Sequence, residues 1–99
     1  MVDIFRIEKE IVEVLKPLDP DKIVLFGSFA KGSADEGSDI DLLLVKKQIE
    51  NLRDYRLQAR KRLRPLIRKY RIGFDLLSAK SIDKSWIGKS RILYERVRS

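Results

Sequence analysis

Apolar residues recur at three- and four-residue steps in two segments of this chain and collect into short runs in several others. Ile4, Ile7, Ile11, Val14, Leu15 and Leu18 follow the helical period and predict an amphipathic helix over residues 3–16. Pro17 and the turn Asp19-Pro20-Asp21 end it. Leu52, Tyr55, Ala59, Leu63, Leu66, Ile67 and Tyr70 predict a second helix over 50–70. Pro65 falls inside that pattern, and because proline lacks the backbone donor, a bend or a new turn is expected there. Residues 22–26, 39–46 and 71–78 read as strands. Ser28 to Lys31 begins a short helix truncated by Gly32, and the loop Ser33-Ala34-Asp35-Glu36-Gly37-Ser38 leads into the second strand. Residues 81–89 read as a short helix capped by Ser81, and Ile92 to Val97 as a final strand or extended tail. The alternation predicts an α/β (α+β) fold, a mixed β-sheet with helices packed on one face.

Length and composition narrow the chemistry. Ninety-nine residues suit one domain, 1–99, with one hydrophobic core. With no cysteine there are no disulfides and no thiolate metal sites, and with no histidine there is no imidazole base or ligand. Catalysis would have to run on carboxylates, hydroxyls, lysine, arginine and bound metal. No long apolar stretch predicts a membrane span, and the N-terminal residues lack the basic-then-apolar form of a signal peptide, so the expected setting is cytoplasmic.

The net charge of +7 hides an asymmetry. Residues 1–45 carry five Lys/Arg against ten Asp/Glu, and residues 46–99 carry seventeen against five. The surplus in the second half favours polyanions, whether a triphosphate, RNA or an acidic protein surface. The run Arg60-Lys61-Arg62-Leu63-Arg64 reads as a solvated helix face rather than a nucleic-acid patch. Trp86 and Tyr94 read as packing residues, and Tyr55 and Tyr70 as core.

Candidate chemistry sits at the boundary between the first two strands. Gly27-Ser28 follows the apolar run Ile23–Phe26, and after ten intervening residues come Asp39 and Asp41. Alternation along a strand points those two carboxylates to one face with Cα atoms about 6.5–7 Å apart. Such a pair suits a hard divalent cation that also binds substrate phosphates. Glycine permits close approach of the backbone to a ligand, and amides at a helix start can face phosphate oxygens. Taken singly, Gly-Ser is a common turn, Asp-x-Asp a common strand edge, and Lys31 an ordinary surface residue. Their combination is more specific.

The spaced motif G-S-x10-D-x-D resembles the signature of the nucleotidyltransferase superfamily that includes DNA polymerase beta and kanamycin nucleotidyltransferase, and more narrowly the minimal nucleotidyltransferase (MNT) domains. Ile72-Gly73-Phe74-Asp75-Leu76-Leu77 matches the context of that family's third carboxylate. The resemblance covers about Ile4 to Tyr94, with Lys31 where such domains often carry arginine, so a bidentate fork becomes a point charge. It implies two-metal nucleotidyl transfer, with Asp39, Asp41 and Asp75 as catalytic and metal-binding residues for Mg²⁺ or Mn²⁺ and Asp75 also as proton acceptor. It further implies Gly27, Ser28, Lys31 and Ser38 as nucleotide-binding residues and ATP as substrate, with capping of its own turn as the other reading of Ser38. The acceptor implied is a tyrosine hydroxyl of a HEPN-domain toxin, with the chain as antitoxin. Two other readings stay open: a non-catalytic module that occludes its toxin, and transfer to RNA or a small molecule.

Overall fold

In the computed structural model, which describes residues 3–32, 34, 35, 37–82 and 90–96, the first helix (α1, Ile4–Leu15) opens on Asp3. The Asp3 carboxylate accepts from the amides of Phe5 at 3.1 Å and Arg6 at 3.4 Å, satisfying donors that a helix start leaves unpaired. A 3₁₀ turn over Lys16–Leu18 and a left-handed Asp19 close this segment where Pro17 forbids further α-helix. The chain then enters strand β1 (Lys22–Phe26), the short helix α2 (Gly27–Lys31) and strand β2 (Ile40–Val45). Helix α3 spans Leu52–Tyr70, with Asn51 accepting from the Asp54 amide at 3.1 Å. Strands β3 (Phe74–Ala79) and β4 (Arg91–Glu95) follow.

The four strands form one mixed sheet in the order β3-β2-β1-β4. β1 pairs antiparallel with β2 and with β4, while β2 and β3 run parallel. Parallel neighbours need a crossover long enough to return the chain, and α3 provides it. Ile7, Ile11 and Leu15 of α1 and Tyr55, Ala59, Leu63 and Leu66 of α3 pack on one face of the sheet, against Ile23, Leu25, Ile40, Leu42, Leu44, Phe74 and Leu76. A smaller cluster, Val24, Leu43 and Val45 with Phe26, Ala79 and Ile82, occupies the other face. The expected one-sided arrangement of helices on a mixed sheet is therefore observed.

Several local expectations need correction. Helix α3 runs through Pro65 without ending, so of the bend or new turn expected there, the new turn does not form. Leu63 and Leu66, on either side of this exposed proline, are both buried. Burying such side chains contributes about 1.5–3 kcal/mol each, which offsets the roughly 3 kcal/mol cost of an internal proline. The third strand begins at Phe74 rather than 71, because Arg71 adopts a left-handed conformation and its amide donates to the Ile67 carbonyl at 2.8 Å, capping α3. Tyr55 is core, and its hydroxyl donates to the Leu18 carbonyl at 3.0 Å. Tyr70 is only half-buried; its hydroxyl donates to Glu10, whose other oxygen meets Lys69 at 2.7 Å. Tyr94 packs against the margin of the core, as expected. The expected helix over 81–89, with Trp86, lies outside the described residues from 83 onward, as does Val97. No helix among the described residues is long and apolar enough to cross a membrane.

Leu63 is fully buried at the centre of the α3–sheet contact. Leu63→Ala is expected to destabilise the fold by about 2–5 kcal/mol in urea unfolding, whereas Arg62→Ala one residue earlier, on the exposed face, should cost under about 0.5 kcal/mol.

Candidate active site

The site forms on the sheet face opposite α1 and α3. Along β2, Ile40, Leu42 and Leu44 turn toward the helices, so Asp41 joins Leu43 and Val45 on the other side. Along β3, Phe74 and Leu76 turn inward, leaving Asp75 and Leu77 exposed on the side of Asp41. Register does the rest: Asp41 and Asp75 are direct partners across the parallel pair, in strands about 4.8 Å apart. Asp39 lies one residue ahead of β2 and is exposed. The Ile40 amide donates to the Gly73 carbonyl at 2.8 Å, which holds Asp39 beside the start of β3.

Two glycines let the backbone close around these carboxylates. A Cβ on Gly27 would stand 2.3 Å from Asp41 Oδ2, and one on Gly73 would stand 2.5 Å from Asp39 Oδ1. Gly27 also has φ +69°, a conformation that disfavours any side chain. This residue is the hinge at which β1 turns into α2 without an intervening loop, opposite the start of β2, where Phe26 pairs with Asp41.

Electrostatics mark Asp41. Its carboxyl is held above the ordinary aspartate range, first by burial, then by the charge of Asp75, a shared hydrogen bond with Asp75, and the charge of Asp39. That bond requires a proton on one partner, since two carboxylates have no donor between them. The folded chain thus binds this proton more tightly than the unfolded chain. Asp41 contributes stability at acid pH that is lost as pH rises from 3.8 through its folded pKa.

A cleft of about 440 Å³ opens over the two strands, within the range of about 300–1,000 Å³ usual for small-molecule sites. Asp41 and Asp75 line it together with Gly27 and Lys31, while Phe26, Leu42, Leu76 and Leu77 supply apolar walls. Lys31, the exposed last residue of α2, is therefore part of the cleft. Ser28 is half-buried at the second position of α2 and does not line it. Ser38 is committed to its own loop: its hydroxyl donates to Asp35 Oδ1 at 3.2 Å and accepts from the Asp35 amide at 3.0 Å. Its turn-capping role is what the structure describes, and it does not line the cleft. Among the described residues, no three acidic side chains stand as a ready-formed metal cage.

Sequence reasoning missed Gly73 as a structural partner of Asp39 and Phe26 and Leu77 as cleft walls. The signal for Gly73 was its place directly before the strand that carries Asp75. Strand alternation puts Leu77 on the face of Asp75, whereas nothing in the spacing marked Phe26.

The pattern of the nucleotidyltransferase domain matches residues 7–97, nearly the whole chain. The chain belongs to the nucleotidyltransferase domain family. Two Methanocaldococcus jannaschii proteins, each named as a candidate protein adenylyltransferase, are similar to this nucleotidyltransferase. One is 32% identical across 86% of this chain and 80% of its own length. The other is 38% identical across 75% of this chain, which spans only 58% of that relative. Solved structures share the fold. A chain of a toxin–antitoxin complex crystallised with AMP-PNP superposes with a TM-score of 0.68 and 21% identity, covering 90% of this nucleotidyltransferase and 73% of that chain. A variant of the MntA–HpeT toxin–antitoxin gives 0.67 at 19% identity with the same coverage. A complex of a tri-AMPylated Shewanella oneidensis HEPN toxin with an MNT antitoxin gives 0.59 at 20% identity, over 90% and 70% of the two chains.

Gly27→Ala tests the close approach of backbone and carboxylate in this nucleotidyltransferase. The added methyl must displace the Asp41 side chain and adopt a left-handed conformation costing about 1–2 kcal/mol. Urea unfolding should report a loss larger than that, whereas Gly32→Ala, with φ +75° and nothing within 4 Å of the added carbon, should show the conformational cost alone without disturbing the Asp41 resonances in NMR spectra.

Proposed function

We propose that this chain is a protein adenylyltransferase over residues 1–99, transferring AMP from ATP to a tyrosine hydroxyl of a HEPN-domain toxin and thereby acting as its antitoxin. The observation that carries this reading is the direct pairing of Asp41 with Asp75 on the open sheet face, with Lys31 across the same cleft. The candidate adenylyltransferase relatives support the reaction type, and the fold shared with toxin–antitoxin complexes, one holding AMP-PNP, supports the setting.

The donor set fits Mg²⁺ or Mn²⁺: every candidate ligand is a carboxylate oxygen, and the repulsion from Asp75 and Asp39, which adds to burial in raising the Asp41 pKa, is the kind a divalent cation relieves. Asp39, Asp41 and Asp75 are the residues that would hold it, and when bound it would supply charge neutralisation on the phosphates and acidify the acceptor hydroxyl.

The chain's own residues divide the remaining work. Gly27 permits the triphosphate to approach the backbone, and the first amides of α2, at Gly27 and Ser28, have no intrahelical partner. Lys31 offsets phosphate charge and stabilises the departing pyrophosphate. Phe26 and Leu77 narrow the wet cross-section of the cleft. In the transfer, the acceptor oxygen forms a bond to the α-phosphorus, the bond from that phosphorus to the α–β bridging oxygen breaks, and pyrophosphate leaves. Asp75 takes the acceptor's proton, which no histidine is present to receive.

The test is intact-mass measurement of a HEPN toxin after incubation with this protein, ATP and Mg²⁺. The expected result is a gain of whole AMP units on a tyrosine, reduced about a hundredfold or more in rate by Asp75→Asn. A stable complex with no mass gain would instead indicate inhibition by occlusion, and AMP incorporated into added RNA would redirect the assignment to nucleic-acid substrates.

A further inference from the structure

Helix α3 carries a strong basic surplus that the fold does not use. Of its eight Lys/Arg residues, only Lys69 makes an ion pair among the described residues, with Glu10, and Asp54 is the one acidic residue within the helix. Cations left without partners cost solubilising surface nothing, so the surplus alone says little. Its position says more. Arg56 and Arg60 stand one turn apart and, with Leu57 and Leu76, line a groove of about 200 Å³. Leu76 also lines the candidate catalytic cleft, so groove and cleft meet across β3. β3 is the end strand of the sheet, with no further strand beside it among the described residues. Leu57 and Leu77, on either side of this edge, are 45% and 50% exposed.

We propose that the rim formed by Arg56, Leu57, Arg60 and the outer edge of β3 is the docking surface for the protein acceptor, and that it selects an acidic, leucine-containing segment lying next to the acceptor tyrosine. The inference rests on the adenylyl-transfer reading and adds the chemistry by which the acceptor is chosen. Two arginines spaced by a helical turn present forked donors suited to carboxylates. The exposed leucines between and beyond them reward an aliphatic side chain in the same segment. The free edge of β3 offers main-chain donors and acceptors to an extended strand. Single-stranded nucleic acid is the poorer match, because its non-specific sites pair cations with aromatic stacking surfaces and the exposed apolar residues at this rim are leucines. A segment held on this edge runs alongside the strand that carries Asp75, which brings its tyrosine to the margin of the cleft.

The probes are two fluorescent tyrosine peptides of equal length, one flanked by Glu, Asp and Leu, the other with Lys in place of each acid, together with an RNA oligonucleotide. Binding is read by anisotropy and AMP transfer by mass, each at low and high salt. The acidic peptide should bind about tenfold or more tightly than the basic one, and salt should erode the difference. Arg56→Glu/Arg60→Glu should reverse the preference while leaving binding of a fluorescent ATP analogue unchanged; because both arginines point to solvent or to the groove rim, the variant should keep its wild-type circular dichroism and Tm. Acidic-peptide binding that follows these arginines without AMP transfer would support the docking surface and count against the proposed reaction. Transfer to both peptides equally, or a preference unchanged in the double variant, would leave the reaction standing and overturn the docking surface. Tighter, arginine-dependent binding of the RNA than of the acidic peptide would overturn it as well.

Discussion

The parallel register of β2 and β3 is the constraint on which the candidate site depends. It sets Asp41 directly opposite Asp75 and brings Asp39 against Gly73, placing three acidic side chains where their charges repel. A fold under no functional demand would separate them, because like charges facing each other across a strand pair destabilise it. Here the arrangement is held by apolar packing on the other face. Ile40, Leu42, Leu44, Phe74 and Leu76 are anchored under α1 and α3, and a one-residue slip of β3 would drive Phe74 and Leu76 out of that core. The core therefore fixes the register, and the register forces the carboxylates together.

The rest of the cleft is arranged around that cluster. Gly27 turns β1 into α2 at a point where any side chain would strike Asp41, so strand, helix and carboxylate share one crowded corner. α2 then carries Lys31 to the same cleft, setting a cation on a wall shared with Asp41 and Asp75. Among the described residues the helices α1 and α3 lie on the other face of the sheet from this cluster, and β3 is its end strand.

Much of this was legible in the sequence because it depends on local periods. Strand alternation placed Asp41 with Leu43 and Asp75 with Leu77, and the helical period in α1 and α3 separated the buried Ile7, Ile11, Leu63 and Leu66 from the exposed arginines. What was not legible depends on three-dimensional competition. Pro65 argues locally for a break, but burial of Leu63 and Leu66 outweighs it. Ser38 beside the first aspartate reads equally as a turn cap or a phosphate ligand, and only the folded loop, which gives it Asp35 as a partner, selects the cap. Tyr70 fits the apolar stripe by spacing, but it falls at the last turn of α3, where Glu10 and Lys69 draw its hydroxyl to the margin. The meeting of the α3 groove with the cleft across Leu76 depends on which face of the helix settles against β3, a choice no linear pattern specifies.

The most direct measurement is a titration of the Asp41 side-chain carboxyl by ¹³C NMR, first in chelator and then with Mg²⁺. Burial, together with convergence of the three carboxylates, predicts a pKa above the ordinary aspartate value without metal; the convergence predicts a fall when Asp75 is replaced by Asn and a further fall when Mg²⁺ is added. An Asp41 carboxyl that titrates at the ordinary value, indifferent both to Asp75→Asn and to Mg²⁺, would contradict the account at its foundation.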